Sequence, residues 1–195
     1  MSEWRNGDAR AGERLFERYF RAVARFFANK VAGDPDDLVQ ETFLACVRGR
    51  DRVQRTHDFR AYLFGVAYNV LKSHIRRKYR PDFPADLDSC SAHDLAPGPS
   101  TVLHRCEEER LLLDALRQVP LTYQVLVELY YWESMTTEQI GLTLDLPVGT
   151  VRGRLRRARA RLEQILQRMP GESHLQRSAI DGLDDWARGL RARVL

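Results

Sequence analysis

The stretch TTEQIGLTLDLPVGTVRGRLRRARARL, from Thr136 to Leu162, decides the fold of the C-terminal half of this chain. Thr136 with Gln139 three positions later is typical of a capping box, in which each side chain satisfies a free N–H of the first helical turn. After a tight turn, apolar residues recur at alternating steps of four and three, and these are Val151, Leu155, Ala158, Leu162, Ile165 and Met169. A short capped helix, a turn and a long helix together predict a helix-turn-helix.

The long helix carries its arginines off the apolar face. In a helix-turn-helix, N-terminal residues of the second helix meet base edges in the major groove. Those first turns hold Gly149, Thr150, Arg152, Gly153 and Arg156. Candidates for phosphate contacts, which fix register without reading sequence, are Arg154, Arg157, Arg159 and Arg161. An arginine-rich face can also be merely solvated or cover a partner, but next to the cap, the turn and the apolar stripe it favours DNA binding.

The N-terminal half shows three further helical patterns. One apolar stripe begins at Leu15, a second at Val39, and a third helix starts near Phe59. Pro81 ends the third helix, and the Pro, Ala, Ser and Asp residues after it are linker composition. We therefore predict an all-α fold in which a flexible acidic linker (81–105) joins two helical domains (7–80 and 106–169), followed by a tail (170–195).

Composition excludes several classes of protein. The chain has 195 residues, a net charge of +4 and a pI near 9.1, and its basic residues cluster before the linker and on the last helix. No apolar run reaches the roughly 20 residues of a membrane-spanning helix, and residues 1–10 lack a signal-peptide pattern, so we expect a cytoplasmic protein without membrane insertion. The odd set of Cys46, Cys90 and Cys106 does not fit a disulfide framework.

The sequence offers no convincing catalytic or metal motif. Metal-ligand residue types near the linker are Cys90, His93, His104 and Cys106. Their spacing fits no tight finger, so we predict neither a metal nor a cofactor, and a zinc or copper site built from these four residues stays open as the alternative. There is no phosphate-cradling glycine loop and no nucleophile elbow, and the acidic DPDD segment (34–37) is the one cluster that a nucleic-acid-processing enzyme would use. We predict that the protein is not an enzyme.

Two runs of sequence resemble a known family. The run LRQVPLTYQVLVELYYWESMTTEQIGLTLDLPVGTVRGRLRRARARL, within 112–166, closely resembles region 4 of extracytoplasmic-function (ECF, group IV) sigma factors of the sigma-70 family. DPDDLVQETFLACV (34–47) and FRAYLFGVAYNVLKSHIRRK (59–78) resemble their region 2, and the resemblance spans roughly 7–169. It implies a transcription initiation factor that brings core RNA polymerase to promoter DNA. An anti-sigma factor is a further candidate partner.

The resemblance also implies roles for particular residues. The residues that it implies for docking on core polymerase are Asp37, Gln40, Glu41 and Phe43. The loop 50–58 and the helix after it would capture unstacked bases of the minus-10 element, with Phe64, Tyr68, Asn69, Lys72, Arg76 and Arg77 as the contacting residues. The helix-turn-helix would read the minus-35 element through Gly149, Thr150, Arg152, Gly153, Arg154, Arg156 and Arg157.

Several alternatives stay open from the residues alone. Phe43 suits a core position equally well, and a stand-alone helix-turn-helix regulator is the alternative function. The acidic linker either threads the polymerase channel that nascent RNA later occupies or is a plain spacer. The tail has the pattern of a short amphipathic helix, which either restrains a module or caps the long helix. Gly141 and Gly153 depart from the Ala and Ser that the family more often carries there.

Overall fold

The structure is a computed structural model, and it describes residues 2–5, 7–50, 58–79, 87–95 and 107–169. Within these ranges the regular structure is helical, apart from one isolated bridge between Ser91 and Pro120. This confirms the all-α prediction. None of the described helices is long and apolar enough to cross a membrane. In chain order they are α1 (Ser2–Arg5), α2 (Ala9–Ala28), α3 (Asp36–Arg48), α4 (Phe59–Tyr79), α5 (Ala92–Leu95), α6 (Glu107–Gln118), α7 (Leu121–Tyr131), α8 (Thr137–Leu144) and α9 (Val148–Arg168).

The N-terminal bundle consists of α1 to α4. Asp8 caps α2, and its carboxylate accepts a hydrogen bond from the backbone N–H of Ala11 at 3.1 Å. Near the end of α2, Phe26 and Phe27 are 2% and 0% exposed, and the Phe26 ring lies 5.7 Å from that of Phe64 on α4. Burying such a side chain stabilises the fold by about 1.5–3 kcal/mol. These aromatic contacts hold α2 against α4.

The C-terminal module is built on α6, α7 and α9, which enclose an apolar core. The buried members of this core are Leu111, Leu112, Leu113, Ala115, Leu116, Val119, Val127, Trp132, Ala158, Leu162 and Leu166. Ala158 and Leu162 belong to the apolar stripe that the sequence predicts for α9, and they are 0% and 1% exposed. The stripe therefore faces the core, and the opposite side of α9 carries the arginines.

Helices α8 and α9 and the turn between them form the predicted helix-turn-helix. The Gln139 backbone N–H donates to the Thr136 hydroxyl at 3.2 Å, and the Thr136 N–H donates to the Gln139 side chain at 2.9 Å, which confirms the capping box. Asp145 ends α8 with φ +55°, in the left-handed region that Asp tolerates. A Cβ on Gly141 would lie 2.7 Å from the carbonyl oxygen of Leu146, so this turn requires the glycine.

Part of the predicted flexible linker is folded. Residues 87–95 include α5 and lie against the start of α7. The Leu121 N–H donates to the Cys90 carbonyl at 2.8 Å, and the Thr122 N–H donates to the Leu87 carbonyl at 3.3 Å. Leu87 and Cys90 are buried. The expectation of a flexible tether is therefore wrong for 87–95, because isolated apolar residues and backbone hydrogen bonds secure a segment whose composition is that of a linker.

The two modules pack against each other, mainly through α4 and α8. A Cβ on Gly65 of α4 would lie 3.1 Å from the carbonyl oxygen of Thr143 on α8, so the glycine permits a close approach. The larger apolar cluster crosses the boundary, joining Phe26 and Phe64 of the N-terminal bundle to residues such as Leu126 of the C-terminal module. The chain thus adopts a closed arrangement, in which the modules share a core that the sequence did not predict.

Candidate nucleic-acid and polymerase interfaces

The first turns of α9 present most of the predicted base-reading residues at the surface. Val151 is fully buried and fixes the rotation of the helix about its axis. Gly149 and Arg152 are therefore exposed, and Thr150 is half-buried beside them. A helix held in this way offers its N-terminal side chains to a major groove. Gly153 is half-buried, and the nearest atom to an added Cβ belongs to the side chain of Arg157, at 3.7 Å, so nothing here requires a glycine.

Two arginines of α9 form ion pairs with acidic side chains of this chain. Arg152 pairs with Glu138 at 2.9 Å, and Arg154 pairs with Asp88 of the folded linker segment at 2.7 Å. The pKa of Glu138 lies below its ordinary value because its own backbone N–H and the Thr136 side chain hydrogen-bond to it. The Arg154 pair is the less exposed of the two, at 21% and 34% of the side chains. Both arginines are held in place, and each would have to exchange a carboxylate for a phosphate or a base.

A cavity of about 1000 Å³ opens beside the N-terminal half of α9, between α7, α8 and α9. Its lining combines aromatic, apolar and cationic side chains, including Tyr130, Tyr131, Met135, Leu155, Arg156 and Arg159. Arg156 is exposed, like Arg157 on the next position. The cationic residues of this cavity continue the surface formed by Arg152.

Helix α4 places aromatic and cationic groups together, as the minus-10 prediction requires. Tyr68 is half-buried, and the ammonium of Lys72 lies 5.4 Å from the centre of its ring. Asn69 is exposed one position along, and Arg76 and Arg77 are exposed in the last turn. Burial and two neighbouring positive side chains lower the pKa of His74. The positive charge at this end of α4 therefore comes from lysine and arginine near neutral pH.

The prediction that Phe64 contacts DNA is corrected by the structure. Phe64 is 1% exposed and packs against Phe26, so its ring is not available to a base. The physical reason is that α4 is covered on more than one side, by α2 and α3 and also by α8. Sequence spacing separates two faces of a helix but cannot tell which face is solvated when both are apolar.

Helix α3 carries the predicted polymerase contacts. Asp37 and Gln40 are exposed, whereas Glu41 is half-buried and pairs with Arg77 of α4 at 2.9 Å. A predicted polymerase contact is thus joined to a predicted minus-10 contact. Phe43 is half-buried, with its ring 4.7 Å from that of Phe16 on α2, so it serves the core at least in part.

Three exposed apolar residues beside this face were missed by the sequence analysis. Leu44 is 50% exposed, and Val47 and Phe20 are each 47% exposed. For Leu44 and Val47, the signal that would have found them is the buried stripe of α3, which passes through Thr42. The Thr42 hydroxyl donates to the Leu38 carbonyl at 2.7 Å, which allows this polar residue to be buried. Because Thr42 is polar, the sequence pattern did not show that the buried stripe passes through it.

Within the described ranges, the cysteines and histidines do not converge on one site. Cys90 is buried and His93 is exposed, and no group of three or more His, Cys, Asp or Glu residues in the described part of the chain is placed to hold a metal ion. His104 and Cys106 lie outside the described residues, as do the loop residues 51–57 and the tail 170–195. Burial raises the pKa of Cys46 to about 12, so its thiol is a packing residue rather than a nucleophile.

A helix-turn-helix with an arginine-bearing second helix, next to a helical bundle with a cationic and aromatic helix, defines a DNA-binding protein. Comparison with known families assigns both parts of the chain. Residues 15–80 match the family model for Sigma-70 region 2, and residues 109–162 match the model for Sigma-70, region 4. The chain belongs to the sigma-70 family, in its ECF class. It is a sigma factor, a protein of transcription initiation, and sigma factors are generally non-enzymatic.

Individual relatives agree with this assignment. The chain is 29% identical over 170 residues to the ECF RNA polymerase sigma-E factor of Salmonella typhimurium, covering 83% of this chain and 89% of that protein. Among solved structures, CnrH in complex with the cytosolic domain of CnrY is 25% identical, with a TM-score of 0.59 over 85% of this chain and 94% of that one. The fold also matches RpoE of Bartonella quintana, solved with the anti-sigma factor NepR, with a TM-score of 0.61 at 21% identity over 84% and 99%.

Proposed function

We propose that this sigma factor divides its work among three surfaces. The exposed face of α3 docks on core RNA polymerase, the cationic side of α4 holds the minus-10 element, and the first turns of α9 read the minus-35 element. The single observation that supports this division is that the surfaces differ in character: α3 exposes acidic and apolar residues, whereas α4 and α9 expose lysine and arginine. DNA attracts the second kind of surface and repels the first.

At the minus-35 element, Arg152 and Arg156 are placed to meet base edges and Arg157 to meet a phosphate. An arginine that binds guanine through two hydrogen bonds discriminates by about 1–3 kcal/mol. Arg154 joins these residues when its ion pair with Asp88, at 2.7 Å, is broken, because its guanidinium can then bind a phosphate. The minus-35 residues are therefore partly preorganised by this chain's own carboxylates.

At the minus-10 element, Tyr68 supplies the aromatic surface and Lys72 the adjacent positive charge. Stacking of a base on an aromatic side chain is worth about 1–3 kcal/mol. Asn69 offers hydrogen bonds to an unstacked base, and Arg76 and Arg77 lie along the path of the backbone. Phe64 is not part of this surface, because it is buried. Phe64 instead supports α4 from the interior of the N-terminal bundle.

On α3, Asp37 and Gln40 flank the exposed apolar residues Leu44 and Val47. Apolar residues ringed by polar ones are typical of protein interfaces, where a few buried side chains carry most of the binding energy. Leu44 is the centre of this face. The polymerase surface that fits it is apolar with basic residues around it.

The proposal includes the protein's other partners and its location. Because the polymerase and the chromosome are in the cytoplasm, we expect the protein to act there. The proposal assigns no catalytic step to the chain itself. The two solved relatives are complexes with CnrY and with NepR, so an anti-sigma factor is proposed as a further partner here. A stand-alone regulator is not favoured, since it has no use for a region 2.

Run-off transcription with purified core polymerase tests the division of work. Leu44→Asp places a charge at the centre of the α3 face, so binding to core polymerase and transcription should both fall at least tenfold. Arg156→Ala should leave core binding intact, weaken promoter binding by about 1–3 kcal/mol, and relax the sequence preference at one base pair of the minus-35 element. Arg168→Ala, at the exposed far end of α9, is the matched control.

Two outcomes would contradict the proposal. If Leu44→Asp bound core polymerase normally, α3 would not be the anchor. If Arg156→Ala and Arg168→Ala had the same promoter affinity and the same sequence preference in the minus-35 element, the first turns of α9 would not be the reading surface.

A further inference from the structure

The guanidinium of Arg152 is held by two residues at the start of α8. Its Nη2 donates to the Glu138 carboxylate at 2.9 Å, and its Nε donates to the Thr137 hydroxyl at 3.4 Å. The Thr137 hydroxyl in turn donates to the same carboxylate oxygen of Glu138 at 3.1 Å. The three side chains therefore form a closed network of hydrogen bonds that links the start of α8 to the first turns of α9.

The carboxylate at the centre of this network is tied to the helix that carries it. Glu138 is the second residue of α8, whose start is fixed by the capping box of Thr136. Hydrogen bonds from its own backbone N–H and from the Thr136 side chain hold the pKa of Glu138 below its ordinary value, so the group is charged near neutral pH. The positive end of the helix dipole also favours a negative charge here. Glu138 is thus a fixed anchor for the arginine.

The network occupies only one edge of the guanidinium. This group is planar and has five N–H donors, so it can bind along its side edge, from Nε to Nη2, or along its end, from Nη1 to Nη2. Thr137 and Glu138 take the side edge. Counted as an ion pair alone, Arg152 would have to give up Glu138 before it could bind a base. Its individual hydrogen bonds remove that requirement, because Nη1 has no hydrogen bond to a described residue and the side chain is 67% exposed.

The neighbouring arginines of α9 are held less firmly. Arg154 has a single hydrogen bond, to Asp88, which belongs to the linker segment and not to the helix-turn-helix. Arg156 is exposed and has no hydrogen bond to a residue in the described ranges. Arg152 therefore loses the least side-chain freedom when it binds a base, and this preorganisation favours binding.

Guanine is the base that fits an arginine held in this way. In the major groove guanine presents two acceptors, O6 and N7, and the end of a guanidinium binds both at once. Adenine replaces one acceptor by an amino group, cytosine offers an amino group, and thymine offers one oxygen beside a methyl group. An arginine without support can turn to a phosphate when its guanine is replaced. Because its side edge is bound, Arg152 is less able to turn away, so the replacement costs more.

We propose that Glu138, supported by Thr137, is a positioning residue that aims the end of the Arg152 guanidinium at a guanine of the minus-35 element. The inference rests on the proposed function, since it takes the first turns of α9 as the surface that reads this element. Glu138 itself contacts no base. Its effect is on the discrimination between bases, and its negative charge slightly lowers the affinity for every DNA sequence.

Promoter binding by the holoenzyme, assembled from core polymerase and the full-length chain, tests this inference. Each base pair of the minus-35 element is replaced in turn, and the affinity for each duplex is measured by gel shift. Arg152→Ala identifies the base pair that Arg152 reads, as the one at which a preference of about 5- to 150-fold for guanine is lost. Glu138→Ala is then compared at this base pair with Glu138→Gln, which keeps the acceptor oxygen. The matched control is Glu163→Ala, which removes a carboxylate paired with another arginine of α9.

Glu138→Ala should reduce the preference for guanine at that base pair about two- to fivefold, while the affinity for duplexes without this guanine stays the same or rises. Glu138→Gln should keep most of the preference, and Glu163→Ala all of it. The Glu138 side chain is 57% exposed, so its replacement leaves the core intact. An unchanged preference in Glu138→Ala, or an equal loss in Glu163→Ala, would overturn the inference. If Arg152→Ala altered the preference at no base pair, the proposed reading surface on α9 would itself be wrong.

Discussion

The core of the C-terminal module and the junction between the modules are both buried, but they differ in composition. The core between α6, α7 and α9 is formed by aliphatic residues, alanine and one tryptophan. The junction adds Lys30 and Glu128, together with Asn29, Gln124 and Arg117, all of them buried. Apolar burial contributes about 25 cal/mol for each Å², whereas a buried ion pair contributes little net. The junction thus combines an apolar contact, in which Phe26 and Phe64 share a cluster with Leu126, with buried charged and polar residues that the core of the C-terminal module lacks.

The largest effect is expected in the apolar core. Leu162→Ala removes a side chain that is 1% exposed, so we expect the free energy of unfolding to fall by about 2–5 kcal/mol. Chemical denaturation followed by circular dichroism measures it. Leu142→Ala, at a position that is 76% exposed, is the control and should leave the stability nearly unchanged. Equal losses from the two variants would remove the contrast between core and surface.

The second prediction concerns the junction. Replacing both charges, with Lys30→Met and Glu128→Leu together, should leave the free energy of unfolding unchanged or raise it by about 1–4 kcal/mol. The single variant Glu128→Leu leaves the buried charge of Lys30 without its carboxylate partner. It should therefore be less stable than the double variant. If the double variant were less stable than the parent chain, the ion pair would be a net source of stability.

The third prediction compares the two glycines of the helix-turn-helix. Gly141→Ala should destabilise the protein by about 1–3 kcal/mol, because its Cβ would press on the Leu146 carbonyl oxygen at 2.7 Å. Gly153→Ala should stabilise it by up to about 1 kcal/mol, because alanine is the better helix former and there is room for it. Thermal unfolding of both variants gives the signs. Two losses of the same size would show that the turn is not the reason for Gly141.

The smallest effect is local to the capping box. Thr136→Ala removes the hydroxyl that accepts from the Gln139 N–H, and we expect a loss of about 1 kcal/mol. Thr137→Ala, at the next position, leaves the capping box intact and is the matched control. Thermal unfolding again provides the measurement. A loss confined to Thr137→Ala would contradict the assignment of the cap.

Periodic patterns allowed most of the helical fold to be predicted from sequence. The capping box and the apolar stripe of α9 depend on neighbours within one or two turns, and such local signals are readable in a single sequence. The residues placed on the first turns of α9 follow from that stripe. The exposed positions Asp37 and Gln40 are likewise set by the helical period of α3 alone.

The remaining features depend on contacts between distant residues. Lys30 and Glu128 look like ordinary surface charges in the sequence, because their burial depends on residues 98 positions apart. Phe64 was misplaced for the same reason, because the ring that packs against it belongs to Phe26 on α2, far away in the sequence. The folded segment 87–95 has too few apolar residues for a periodic signal, and its backbone partners lie on α7.

The docking of residues 87–95 onto the start of α7 also sets the reach of the connection between the modules. While Leu87 and Cys90 are bonded there, the chain from Tyr79 to Leu87 can span at most about 28 Å. With that segment released, the chain from Tyr79 to Glu107 can span about 100 Å. The hydrogen bonds at Cys90 and Leu87 therefore shorten the connection between the two modules. Release of residues 87–95 from α7 would more than triple the distance that this connection can span.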